Sequence, residues 1–163
     1  MNIDLILKDE DTKLLMKLTA ISGNVDFDKV RSSILLAQFV DIRRILTQPL
    51  YDKIMADVKN DSLSGDYLKI YDEHITVLTT YFAAAQFISQ NTIVINNGGN
   101  FHHNPTNGQS VDYKENDRLV HKYNALGASE ELRFEKFMKT INIPEYKSNC
   151  TTKNNTYKFP WIL

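Results

Sequence analysis

The sequence predicts an all-α fold: a small helical bundle around one long central helix, with a projecting loop or β-hairpin and an extended C-terminal tail. Three observations carry this expectation. Apolar residues recur at helical spacing over residues 26–47, 66–90 and 112–140. The one strongly β-prone run is short, Thr92-Ile93-Val94-Ile95. The long segment 66–90 carries two apolar stripes side by side, one through Leu68, Tyr71, Ile75, Leu78, Phe82 and Ala85, the other through Ile70, Val77, Tyr81, Ala84 and Ile88.

Residues 1–25 read as an N-terminal arm. In it Leu14, Leu15, Met16 and Leu18 predict a short helix, capped by an acid of the Asp9-Glu10-Asp11 run and broken by Ser22-Gly23-Asn24. The body spans residues 26–142. Its first helix has Asp26 as N-cap and Asp28 in the first turn, where negative charge suits the helix dipole. Leu35, Phe39, Ile42, Ile45 and Leu46 form its apolar stripe, broadened by Val30 and Ile34. Pro49 cannot sit inside that helix but fits the first turn of another, so residues 49–58, with Leu50, Ile54 and Met55, form a second, short helix at an angle.

Residues 60–65 are a polar loop, with Ser62 or Ser64 capping the long helix. A helix with two apolar faces must be covered on two sides. In so short a chain, part of that cover is expected from neighbouring subunits. Residues 91–111 are an insertion rich in Asn and Gly, in which Asn97-Gly98 between extended runs is a hairpin signal. Polar stretches of this length are functional or disordered. Asp112 with Glu115 resembles a capping box. Val120, Tyr123, Leu126, Phe134, Phe137 and Ile141 then carry the last helical face, interrupted by Gly127, which marks close packing or a break. In the tail, residues 143–163, aromatic residues lie among Ser, Asn, Thr and Lys without helical period.

Composition narrows the classes. Net charge is −1, so no global field draws the chain to nucleic acid or anionic membrane. The single cysteine, Cys150, excludes an intramolecular disulfide framework and a Cys-rich zinc site. Charged residues interrupt the first residues, unlike a signal peptide, and no apolar run approaches the roughly 18 residues of a membrane span. A soluble intracellular product is expected, and the sequons at Asn149 and Asn154 read as chance.

No phosphate loop, serine elbow or zinc-protease motif is present, and no enzyme activity or cofactor is expected. His102 and His103 invite a metal, with Asp112 and Glu115 nearby, but neighbours on a strand point to opposite faces, so a polar loop tip is the favoured reading. His74 and His121 read as surface or interface residues. Arg43 and Arg44, beside Asp41, read as a solvated helix face. With Lys29 and Arg31 they define the alternative, a small all-α regulatory DNA-binding protein. Tyr157, Phe159, Trp161 and Leu163 are anchor-type residues that dock either on the chain's own helices or on another subunit.

The order of these pieces resembles a known family. A helix bearing Ile34-Leu35-Leu36-Ala37-Gln38 and Asp41-Ile42-Arg43-Arg44-Ile45-Leu46 leads to Pro49-Leu50-Tyr51. The long helix with Tyr81-Phe82-Ala83-Ala84-Ala85 follows, then the polar excursion 96–107 and a last helix. Over roughly residues 25–142 this layout resembles the head–tail connector (adaptor) proteins of tailed bacteriophages, in the version found in phages of Bacteroidetes hosts. The resemblance implies a virion neck protein, assembled in the host cytoplasm, that forms a homo-oligomeric ring, commonly of twelve copies. Its implied partners are the portal protein and adjacent tail or neck proteins, with DNA passing through without sequence specificity and no membrane involved. Asn97, Asn100, Phe101, His102 and His103 would then contact the channel or the next ring.

Overall fold

A computed structural model describes residues 4–8, 10–21, 25, 27–91, 93–96, 99–102 and 113–149. These residues are predominantly helical, and the fold class is all-α. Helix α1 is Lys13–Leu18. Helix α2, Phe27–Ala37, runs through a first π turn, Gln38–Ile42, into α3, Arg43–Leu46. Helix α4 is Gln48–Lys59. Helix α5, Gly65–Ile70, continues through a second π turn, Tyr71–Ile75, into α6, Thr76–Gln90. Strands β1 (Ile93–Asn96) and β2 (Gly99–His102) pair antiparallel, Ile93 opposite His102 and Asn96 opposite Gly99. Helix α7, Tyr113–Met138, and a 3-10 turn, Pro144–Asn149, complete the described chain.

Helix α6 contributes several residues to the core. Leu78, Phe82, Ala83, Ala84 and Ala85 are buried, and α7, α2 and α1 pack around them. Its cover therefore comes in large part from this chain itself, while Tyr81, Phe87 and Ile88 of the same helix stay partly buried. Polar residues survive on the same helix because they bond to their own backbone. The hydroxyls of Thr76, Thr79 and Thr80 donate to the carbonyls of Asp72, Ile75 and Thr76 at 2.9, 2.7 and 2.7 Å. Ile6, Leu7, Leu15 and Ile21, from the segment before α2, also lie in the core.

The π turns change which residues face inward. Phe39, placed on the stripe by periodicity, is 42% exposed, and Leu35 is only half-buried, whereas Ala37 and Gln38 are fully buried. An i→i+5 turn accommodates one more residue than an α-turn and shifts the phase between the two flanking stretches. Helix ends differ in detail. Thr12, not an acid, occupies the N-cap position of α1, and the neighbouring Asp11 accepts a bond from the Tyr71 hydroxyl at 2.7 Å. Ser64 occupies the N-cap position of α5 but makes no side-chain capping bond. Between α3 and α4 the chain breaks at Thr47, with φ +69° and ψ 156°, a strained conformation for a β-branched residue. Its hydroxyl donates to the Glu145 carbonyl at 3.3 Å, and Pro49 follows in the first turn of α4. Asp26 and Asp112, the expected caps of α2 and α7, lie outside the described residues.

Candidate functional site

Three polar clusters inside the helical assembly are the places where the sequence breaks its own apolar pattern. The first joins the second π turn to α7. His74 Nδ1 lies 2.8 Å from Glu130 Oε1, and both side chains are almost completely buried. Arg133 donates to the other Glu130 oxygen at 2.8 Å from an otherwise exposed position. The His74 ring is flanked by Phe134 (centroids 5.8 Å apart) and Phe137 (4.9 Å), and Phe134 in turn meets Tyr146 edge-on. Wedged between phenyl rings, this imidazole has its described polar contact satisfied by a carboxylate that is itself held in place. Its geometry suits fastening α7 onto the α5–α6 rod. The expectation that His74 is a surface or interface residue is thereby corrected.

The second cluster pins the irregular segment before α1, the strap formed by residues 4–8. Gln38, fully buried in the first π turn, accepts from the Ile6 N–H at 2.8 Å and donates to the Asp4 carbonyl at 3.2 Å and to Tyr51 Oη at 2.7 Å. Tyr71, in the second π turn, accepts from the Lys8 N–H at 3.0 Å. Burial first, and the Asp11 carboxylate next, push the Tyr71 hydroxyl well above the ordinary tyrosine range. Two exposed ion pairs frame the strap, Lys59–Asp4 at 3.1 Å and Lys8–Asp61 at 2.7 Å, and the Lys8 ammonium holds the Asp61 carboxyl below its usual value. Beside the strap an open depression of about 420 Å³ is lined by Lys8, Arg31 and Lys59 together with Leu7 and Met55.

The third cluster lies between the first π turn, α6 and α7. Arg44 gives both terminal guanidinium nitrogens to Glu131, at 2.8 and 3.0 Å. Asp41 is half-buried beside this pair with a hydrogen bond from Gln86, and its Oδ2 has no partner. Loss of solvent, the largest effect, and the Glu131 charge push its carboxyl above the usual range, against the opposing pull of Arg44 and Gln86. Arg43 and Arg44 are exposed and Arg44 has Asp41 as a neighbour, as expected of a solvated helix face, and from there Arg44 also bridges α3 to α7. Arg43 bonds Gln48 instead.

Of the residues expected to bind partners, Tyr157, Phe159, Trp161 and Leu163 lie outside the described residues, as do Asn97 and His103. Asn100, Phe101 and His102 fall in β2. Glu115 and His121 are exposed on α7, and Lys29 is exposed on α2. Among the described residues, no group of three His, Cys, Asp or Glu side chains could hold a metal ion, and no helix is long and apolar enough to cross a membrane. Gln38, His74 and Glu130 are the residues that periodicity passed over. Their signal is present in the sequence: each occupies a core-facing register of an apolar stripe, Gln38 between Ile34 and Ile42, His74 four residues before Leu78, and Glu130 four before Phe134.

No curated protein matches this chain, and no solved structure matches it either. A family model described as a family of unknown function, DUF6712, matches residues 42–156. The match starts at the end of the first π turn and includes Arg44, Tyr71, His74, Glu130, Glu131 and Arg133, whereas Gln38, Asp41 and the strap precede it. With well over half of its 163 residues inside that match, the chain belongs to the DUF6712 family of unknown function.

Proposed function

We propose that the chain is a structural assembly protein, a ring adaptor between the portal and the tail of a tailed bacteriophage, which continues the DNA channel and docks the next tail component. The observation that carries this reading is apolar surface left open by the single chain. Phe39 and Val40, consecutive in the first π turn, are 42% and 53% exposed, and Leu132 on α7 is 58% exposed. In this reading these exposed apolar side chains are the ones a neighbouring copy or partner covers. In this reading the helices form a bundle around α6, residues 91–111 project as a hairpin toward the channel or the next ring, and Tyr157, Phe159, Trp161 and Leu163 anchor in a neighbouring protein. The layout of residues 25–142 supports it, and a net charge of −1 suits a channel through which DNA slides, since many basic contacts would grip phosphates.

The test measures particle mass for the purified chain with and without the portal protein of the same virus. Several copies joining the portal are expected, and deletion from Tyr157 onward should abolish that attachment while the circular-dichroism helix signal stays. Salt-dependent binding of the isolated chain to duplex DNA, without attachment to the portal, would instead establish the regulatory DNA-binding alternative.

A further inference from the structure

We propose that Asp41 is a proton-operated joint: neutral, it lets the first π turn close against α6 and α7, and charged, it loosens that junction. Among the described side chains, Asp41 Oδ2 is the one buried nitrogen or oxygen atom without a hydrogen-bond partner. An unmet buried acceptor is costly, and more so when it carries charge, so its position calls for a reason. Its surroundings supply one. From its own helical run comes Arg44, which spends one N–H of each terminal nitrogen on Glu131 and makes no described hydrogen bond to Asp41. From α7 comes Glu131, a like charge drawing on the same guanidinium, with Glu135 acting on Arg44 from further along the helix. From α6 comes only the uncharged Gln86, which donates one bond. Two carboxylates thus compete for one cation, and the one with the orphaned oxygen is the weaker competitor. Adding a proton to Asp41 removes the repulsion and leaves the Arg44–Glu131 bridge intact. The setting is a π turn, a distortion that recurs at functional sites in helices.

The sign follows from the raised carboxyl. The folded chain holds this proton more tightly than the unfolded chain, whose ordinary value is 3.8. The stabilisation is complete below that value and disappears as pH rises through the higher folded value. At neutral pH, a charged Asp41 therefore weakens the fold relative to a neutral isostere.

The experiment compares the full chain with Asp41→Asn in thermal melts from about pH 4 to about pH 8. Asp41→Asn should melt higher by about 2–4 °C near neutral pH, with the gap closing toward acid. Amide exchange in the first π turn, corrected for intrinsic rate, should quicken with pH in the wild type and not in the variant. A constant offset between the two melting profiles at every pH overturns the joint. Carbon-detected titration of the wild-type carboxyls decides the matter independently if Asp41→Asn fails to fold. Titration of Asp41 above 3.8 supports the proposal, and titration at or below it overturns the proposal.

Discussion

Gly127 of α7 lies directly against the ring of Phe82 of α6: a β-carbon built at position 127 would come within 2.7 Å of Phe82 Cζ and 2.8 Å of Cε1. Helix α7 runs through this glycine without a break. Helical glycine is ordinarily a weakness, yet here the missing side chain lets the two most extensively packed helices of the core meet.

Gly127→Ala should accordingly lose stability, although the same change in an open helix gains about 0.5–1 kcal/mol. Overpacking against a buried ring costs about 1–3 kcal/mol, so the net loss is about 1 kcal/mol. Urea unfolding midpoints measure it. Adding Phe82→Leu should return part of the loss, because residues in contact couple. A stabilised Gly127→Ala protein would show that the ring yields freely.

Removal of the Glu130 carboxylate tests the joint between the second π turn and α7. Glu130→Ala strands a buried imidazole and opens a void, and a loss of about 2–4 kcal/mol is expected. Glu130→Gln keeps the shape and one acceptor, so it should cost less. Equal losses for the two variants in denaturant titrations would mean that the polar contact contributes nothing.

Gln38→Leu keeps the volume and removes the strap's two backbone partners along with the bond to Tyr51. The buried Ile6 N–H loses its acceptor and the more exposed Asp4 carbonyl its donor, and about 1–3 kcal/mol of stability should go with them. Hydrogen exchange at the Ile6 amide should speed up far more than exchange within α6. Unchanged protection at Ile6 would place the hold on the strap in Leu7 and its apolar neighbours instead.

Tyr71 gives the alkaline counterpart. Its hydroxyl keeps its proton in the fold past the ordinary value of 10.0, so its stabilisation is present below that value and is lost as pH rises above it, where the unfolded chain ionises first. Tyr71→Phe should flatten the decline of stability above about pH 10. A decline as steep as that of the wild type would assign it to other groups.

The helix positions were legible because they rest on local physics. Apolar spacing near 3.6 residues, the proline entering α4 and the polar break before α5 act within a few residues along the chain. The clusters were harder to see. Periodicity treats Gln, His and Glu as surface residues, since burying a polar group is costly without a partner. Whether a partner exists depends on residues far away in sequence: Gln38 meets Ile6, His74 meets Glu130, and Arg44 meets Glu131.

By itself, then, the sequence determined that this protein is helical and where most of its helices lie. Tertiary structure alone decided which way their faces turn after each π turn, that α1, α2 and α7 cover α6, and which polar side chains are held inside. The physical reason is one of range. Backbone hydrogen bonding and side-chain spacing are settled within a turn or two of helix. The cost of a buried charge or amide is settled only when a distant segment arrives to meet it.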